Sequence, residues 1–173
     1  TDYAWSPDSR WIVYARPMLE PMNRIYLYSL ETKARVEATD GWYNSNGPAF
    51  SSDGKFVVFV SDRDFNPIFS QTEWNHAYLS MSRVYLLALA RATKSPFEPK
   101  SDEVAVKTAE PAAPGAKDKD KGAKAEAGAA AVPAVKVDAD GLKGRIIGLP
   151  VEVANYGQVN AVDDVLYYLK RGD

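Results

Sequence analysis

The sequence contains no cysteine and one histidine, His76. The missing cysteines exclude disulfides, thiolate metal sites and cysteine nucleophiles, and a single histidine excludes a site with several imidazole ligands. No run of 18 apolar residues is present, so we expect no membrane insertion. The 21 basic and 23 acidic residues give a net charge of -2, which offers no reason to expect binding to nucleic acid. We therefore expect neither a metal nor another cofactor.

Aromatic residues are absent between Phe97 and Tyr156. The middle of that stretch, residues 109–136, reads AEPAAPGAKDKDKGAKAEAGAAAVPAVK, with 11 alanines and two valines. Such a composition buries too little surface to offset about 1–2 kcal/mol of backbone ordering entropy per residue. We predict a disordered Ala/Lys/Pro-rich insertion, with residues 98–137 as a low-complexity linker. A short Ala-rich helix over residues 123–131 is the alternative.

The rest of the chain is rich enough in apolar residues to form a globular core. Of the 173 residues, 46% are hydrophobic, and 17 of the 20 aromatic residues lie between Tyr3 and Phe97. The sequence begins with Thr1 rather than Met, and a strand-like pattern starts at once. We expect it to be a piece of a longer protein.

An internal repeat connects two segments of this aromatic-rich region. Residues 4–15 read AWSPDSRWIVYA, and residues 49–60 read AFSSDGKFVVFV, an offset of 45. Each copy predicts a strand that ends in an aromatic residue, then a tight turn with Asp, then an apolar strand. The second strand of each copy is continuously apolar, which is typical of a strand covered on both faces.

A second repeated element follows at a larger offset. Residues 24–30 read RIYLYSL and residues 83–89 read RVYLLAL, so the second unit carries an insertion over residues 65–81. Several strands per unit at about 40–45 residues is the spacing of a β-propeller blade. We predict an all-β fold, a β-propeller fragment of about three blades built from four-stranded antiparallel sheets. A three-layer β-sandwich is the alternative.

The repeats also set the expected boundaries of the units. Residues 1–97 are predicted to form two blades, and residues 138–173 a partial further blade. The strands of that last unit are expected over residues 145–151 and 165–169. Closed propellers need about four to eight blades, so three blades leave edge strands that other parts of the protein must cover.

Several segments of the sequence resemble the propeller region of tricorn-type proteases. They are WSPDSRWIVYA, IYLYSLET, FSSDGKFVVFVSDRD, the later segment SPFEPKSDE, and GLKGRIIGLPV followed by NYGQVNAV. The turn and apolar strand are shared more distantly with the propellers of TolB and of prolyl oligopeptidase-like enzymes. The resemblance implies a large serine peptidase, in which two propellers precede a PDZ-like domain and a catalytic domain. It carries no catalytic residue onto this stretch.

The function implied by the resemblance is to guide or filter peptides toward a catalytic domain outside this chain. The expected partners are therefore peptides or unfolded protein segments, together with the other blades and the catalytic domains of the same parent chain. A TolB-like propeller that only binds proteins is the alternative. The tricorn resemblance favours the cytoplasm, whereas the TolB resemblance favours the periplasm.

Candidate substrate contacts lie mainly in the insertion over residues 65–81. Trp74, Asn75, His76 and Tyr78 form a polar and aromatic patch, and long insertions in compact folds are often functional. The alternative is a loop whose aromatic residues pack over the blade. A catalytic triad through His76 lacks support, because no Gly-x-Ser-x-Gly motif occurs.

Arg63 is the remaining candidate, between two carboxylates in the segment Asp62-Arg63-Asp64. The segment is expected to form an ion-pair network at the end of a blade, and the alternatives are contact with a peptide terminus or weak binding of a cation. The segment Asp138-Ala139-Asp140-Gly141 resembles the start of a calcium loop, but the later ligands are missing, so a turn is expected.

Overall fold

The computed structural model describes residues 2–17, 22–64, 67–69, 76–78, 80–98, 132–163 and 165–172. The chain divides into one unit of residues 1–95 and 132–173, and a second unit of residues 96–131. Of the second unit, the structure describes residues 96–98. The predicted disorder of the insertion and its alternative, an Ala-rich helix, concern residues outside the described ones.

The first sheet contains four consecutive antiparallel strands, each paired with its neighbour in the sequence. They are β1 (Tyr3–Trp5), β2 (Trp11–Pro17), β3 (Asn23–Ser29) and β4 (Arg35–Glu37). The turn between β1 and β2, which contains Asp8, and the apolar residues of β2 and β3 follow the pattern that the sequence predicts. Such a four-stranded meander is the unit of a propeller blade.

The second sheet repeats this arrangement, with one strand supplied from far along the chain. Its order is β5 (Ser45–Phe50), β6 (Phe56–Ser61), β9 (Arg83–Ala88) and β10 (Ile146–Gly148). Residues 145–151 are predicted to belong to a third unit. In the structure β10 instead belongs to the second sheet, because it pairs antiparallel with β9. The apolar pattern of β10 predicts a buried strand but carries no information about which neighbour it pairs with.

Two hairpins complete the described strands. β7 (Pro67–Phe69) and β8 (His76–Tyr78) pair antiparallel within the predicted insertion over residues 65–81. β11 (Asn155–Val162) and β12 (Val165–Arg171) form a hairpin with a register shift between Tyr156 and Val159. Within the described ranges, the structure contains no apolar helix of membrane-spanning length.

The core lies on both faces of the second sheet. Side chains of β6 alternate, so that Val57 and Phe59 join a cluster with the first sheet, which includes Val13, Ile25 and Leu27. Val58 and Val60 face the other way, into a smaller cluster that includes residues of the β11–β12 hairpin. The prediction of a strand covered on both faces is confirmed for β6, whereas in β2 Ile12 and Tyr14, on the face away from the core, are only half-buried.

The segment that follows the Ala/Lys/Pro-rich insertion packs against the first two sheets. Val135 is buried in the larger core cluster, and its N–H donates to Asp8 Oδ2 at 2.8 Å. Ten residues on, the Arg145 guanidinium donates to the carbonyls of Ala88 and Leu89, at 3.0 and 3.1 Å. These bonds fix the chain just before it enters β10.

Candidate functional site

Polar side chains gather at one end of the sheets, where β3, β5 and β9 begin and β6 ends. We call Asn23, Asn44, Asn46, Asp62 and Ser82 the polar network. Asn23 N–H donates to Asn44 Oδ1 at 3.0 Å, and its side-chain amide donates to Asn46 Oδ1. Asn44 Nδ2 lies 3.3 Å from Asp62 Oδ2, and Ser82 Oγ donates to Asp62 Oδ1 at 2.6 Å.

The polar network connects three groups of strands, which are the first sheet, the second sheet and the β11–β12 hairpin. Asn23 begins β3 of the first sheet, whereas Asn46 lies on β5 of the second. On the far side, the Ser82 carbonyl accepts the N–H of Ala154 at 3.0 Å, one residue before β11. The end of each group is therefore fixed to the next by directional hydrogen bonds rather than by apolar packing alone.

Arg63 lies beside the polar network, with its guanidinium packed among aromatic rings. Its Cζ is 5.0, 5.5 and 5.9 Å from the ring centroids of Tyr85, Tyr43 and Phe59. Arg63 Nε also donates to Ser61 Oγ at 3.2 Å. Cation–π contacts of this kind stabilise the cation and hold the rings in place.

The ion pair expected from the Asp62-Arg63-Asp64 segment forms with a different arginine. Arg83 binds Asp64 Oδ1 at 3.1 Å, and Tyr85 Oη donates to Asp64 Oδ2 at 2.5 Å. Burial raises the pKa of Tyr85, and the bond to the Asp64 carboxylate raises it further. This pairing arises because β9 pairs with β6 and begins at Arg83, beside the end of β6.

Three cavities open at this end of the sheets, and Asp62 and Ser82 line two of them. The first, of about 550 Å³, also has Asp2, Asn46 and Tyr156 in its wall. The second, of about 540 Å³, is more apolar. Its other lining residues are Met22, Trp42, Tyr43, Asn44, Ser80, Met81 and Asn155.

Trp42 is held outward on a rigid turn beside the second cavity. Trp42 is 78% exposed, and its backbone N–H donates to Asp40 Oδ1 at 3.2 Å. Gly41 has φ of 82°, and a Cβ there would lie 1.9 Å from Arg24 Nε. The positive φ favours glycine at this position, and a larger residue would also displace the Arg24 side chain, so the segment Asp-Gly-Trp sets the turn that presents Trp42.

The structure accounts for part of the site that the sequence predicts. Trp74 and Asn75 lie outside the described residues. His76 and Tyr78 are on β8, where they pair with Phe69 and Pro67. Arg63 lies next to the polar network, although its guanidinium packs against rings.

Sequence reasoning does not single out Trp42 or the role of Asp62. A signal for Trp42 is present in the segment Asp40-Gly41-Trp42-Tyr43, a turn followed by two aromatic residues. Asp62 falls within the predicted Asp62-Arg63-Asp64 motif, but its hydrogen-bond partners come from Asn44 and Ser82, 18 and 20 residues away. Those contacts depend on which strands pair with each other, and the motif alone does not indicate that pairing.

The calcium-like segment is a turn in which both carboxylates bind Arg91. The Arg91 N–H donates to Asp138 Oδ2 at 2.9 Å, and its guanidinium pairs with Asp140. The bond from the Arg91 backbone lowers the pKa of Asp138. Across the ranges that the structure describes, no group of three His, Cys, Asp or Glu side chains is placed to hold a metal ion.

Comparison with known proteins gives a consistent result. Tricorn protease homolog 1 of Streptomyces coelicolor is 31% identical over 166 residues, which are 96% of this chain and 14% of that protein. The tricorn protease homolog of Saccharolobus solfataricus is 24% identical over 158 residues, 91% of this chain and 12% of the relative. This chain therefore spans only about one seventh or less of these relatives.

The fold comparison agrees with the sequence comparison. The crystal structure of the tricorn protease superposes with a TM-score of 0.68 at 19% identity, over 96% of this chain and 14% of that chain. This likeness confirms the predicted all-β, partial β-propeller fold. The sequence profile of the tricorn protease second beta propeller domain matches residues 1–172. Because that match extends over nearly every residue, the chain belongs to the family of tricorn protease second β-propeller domains.

Proposed function

We propose that this chain is a non-catalytic segment of a tricorn-like serine peptidase. In this proposal the segment guides or filters peptide substrates toward a catalytic domain outside the chain. The observation that carries the proposal is the match of residues 1–172 to the second propeller domain of tricorn protease. The relatives that share this segment are named as tricorn protease homologs and are many times longer.

The polar end of the sheets supports a role in peptide contact. The two cavities that Asp62 lines offer amide, carboxylate and aromatic groups, the mixture that binds extended peptides through both backbone and side chains. In the proposal, Trp74, Asn75, His76 and Tyr78 of the insertion contact the same peptides. Arg63 acts with them by holding Tyr43 in place.

The test is peptide turnover by the full-length protein. We expect the double variant Trp74→Ala, His76→Ala to lower kcat/KM for a 12-residue peptide by about tenfold, the loss of roughly 1.4 kcal/mol of contact. Turnover of a two-residue ester substrate, which needs no guidance, is expected to stay unchanged. Trp5→Ala, which removes a tryptophan that is 52% exposed on β1, is the matched control.

Two results would contradict the proposal. Unchanged turnover of both substrates would remove the insertion from the peptide path. A full-length protein without a serine nucleophile motif and without peptidase activity would overturn the peptidase assignment and leave a TolB-like, protein-binding propeller as the alternative.

A further inference from the structure

We propose that the second cavity, beside Trp42, binds one basic side chain of a peptide, with the guanidinium of arginine as its preferred ligand. The proposal rests on the proposed function, because it assumes that peptides reach this end of the sheets. It goes further by naming a site and the chemical class of residue that the site selects.

The charge of the cavity wall is the first argument. Among the described residues that line the second cavity, Asp62 is the only one with a charged side chain. The neighbouring cavity, which shares Asp62, adds the carboxylate of Asp2 and no basic residue. A third cavity, which shares Met22 and Trp42, is lined by Asp40 and by Arg24, whose guanidinium is paired with Glu37 at 3.0 Å. The unpaired charge that a ligand meets at Asp62 is therefore negative, which favours a cation and disfavours a phosphate or a peptide carboxylate.

The orientation of Asp62 is the second argument. Ser82 Oγ donates to one carboxylate oxygen at 2.6 Å, and Asn44 Nδ2 lies 3.3 Å from the other. Both partners are neutral, so they position the carboxylate without cancelling its charge. Each carboxylate oxygen can accept further hydrogen bonds, and the planar guanidinium matches a carboxylate better than an ammonium does.

Trp42 and the two methionines supply the remaining contacts. The Asp40–Gly41 turn holds the Trp42 backbone beside the cavity, and the exposed indole offers a face on which a cation can stack. Met22 and Met81 line the same cavity and offer an apolar surface for the methylene stem of the ligand side chain. The nearby cation Arg63 does not line the cavity, because its guanidinium packs against the rings of Tyr43, Phe59 and Tyr85.

The experiment measures binding of acetylated heptapeptides with a C-terminal fluorophore to the full-length protein, whose serine active site is blocked with a fluorophosphonate. Two peptides differ only at the central residue, which is arginine in one and the neutral isostere citrulline in the other. We expect the arginine peptide to bind about tenfold or more tightly, and this preference to shrink as salt rises.

Variants locate the effect. Asp62→Asn is expected to abolish the preference for arginine, and Trp42→Ala to weaken binding of the arginine peptide by about threefold to tenfold. Because Trp42 is mostly exposed, its replacement leaves the core intact even if Asp62→Asn disturbs the polar network. Matched controls are Asp163→Asn, an exposed aspartate at the turn of the β11–β12 hairpin, and Trp5→Ala; both should bind like the unmodified protein.

The outcomes separate this inference from the proposed function. Equal binding of both peptides, or an arginine preference that survives in Asp62→Asn and Trp42→Ala, would overturn the basic-side-chain site while peptide binding itself stands. A citrulline peptide with a free N-terminus that binds as tightly as the acetylated arginine peptide would assign the site to a terminal ammonium instead. No binding of any peptide would overturn both proposals.

Discussion

At the scale of single residues, the two repeated turns share a pair of side-chain hydrogen bonds. In the first, Ser6 Oγ donates to Asp8 Oδ1 at 2.6 Å and accepts the N–H of Trp11 at 2.9 Å. The second turn repeats both bonds, at the same lengths, with the residues 45 positions later. The turns differ in the residue that follows each aspartate, which is Ser9, with φ of 58°, in the first turn and Gly54, with φ of 68°, in the second.

We expect Ser9→Gly to stabilise the first turn by about 0.5–1 kcal/mol. A left-handed conformation strains any residue with a Cβ, and relief of that strain outweighs the flexibility that glycine adds to the unfolded chain. Hydrogen exchange at Ser9 N–H, which donates to Ser6 O at 2.9 Å, should slow by about twofold to fivefold.

The reciprocal change, Gly54→Ser, is the control and should have the opposite sign. A Cβ at Gly54 would lie 2.7 Å from Val135 Cγ2, so strain of the backbone and steric overlap act together. If both substitutions changed exchange in the same direction, φ would not be the property that distinguishes the two turns.

Tyr85 predicts a dependence of stability on alkaline pH. Its pKa is raised in the folded protein, so between the ordinary tyrosine pKa and the folded one the native state holds a proton that the unfolded state has lost. The free energy of unfolding should therefore fall as pH rises above about 10, by up to about 1.4 kcal/mol per pH unit. Denaturant unfolding at pH 9, 10 and 11 measures this slope.

Tyr85→Phe should lack this contribution to the slope, although it is less stable at pH 9 because Asp64 loses a hydrogen-bond donor. Tyr167→Phe, at a tyrosine that is 58% exposed, is expected to unfold like the unmodified protein at each pH. Equal slopes for Tyr85→Phe and the unmodified protein would contradict the assignment.

At the scale of elements, β6 is the strand on which both core clusters depend. Val57 and Val58 are adjacent, identical and fully buried, but they face different clusters. Each neighbouring group of strands therefore contacts its own set of β6 side chains, as in proteins where a repeat contacts only its neighbours.

Val57→Ala and Val58→Ala form a matched pair of substitutions on that strand. Each should cost about 2 kcal/mol through lost burial and a residual cavity. Hydrogen exchange is expected to rise in β2 and β3 for Val57→Ala, and in β11 and β12 for Val58→Ala. The same exchange pattern in both variants would mean that the sheets open as one body rather than separately.

The sequence predicts the elements well where the information is local. The turns after Trp5 and Phe50, and the apolar strands that follow them, depend on residues a few positions apart. Pairing of β10 with β9 depends on residues about 60 positions apart, and an apolar strand can pair with any available edge. For the same reason the sequence does not predict the hydrogen-bond partners of Asp62. The turn that exposes Trp42 depends on the adjacent residues Asp40 and Gly41, so the sequence does contain a signal for it.

At the scale of the whole molecule, the three groups of strands are connected in two distinct ways. Apolar clusters join them through the faces of the second sheet, and the polar network joins them at one end. The repeat and the family resemblance predicted the propeller and its family, because both are properties of many residues at once. The network was not predicted, because its five residues lie in or beside four strands that meet only in the fold, and they share no pattern in the sequence.

The late position of β10 also has a consequence for the order of events during synthesis. Residues 89–145 must be made after β9 before the strand that covers its edge exists. At about 5–20 residues per second, that edge waits on the order of 3–11 s with its N–H and C=O groups unpaired. The nascent chain thus passes through a stage in which the outer edge of β9 is an open template, and the number of residues between β9 and β10 sets how long that stage lasts.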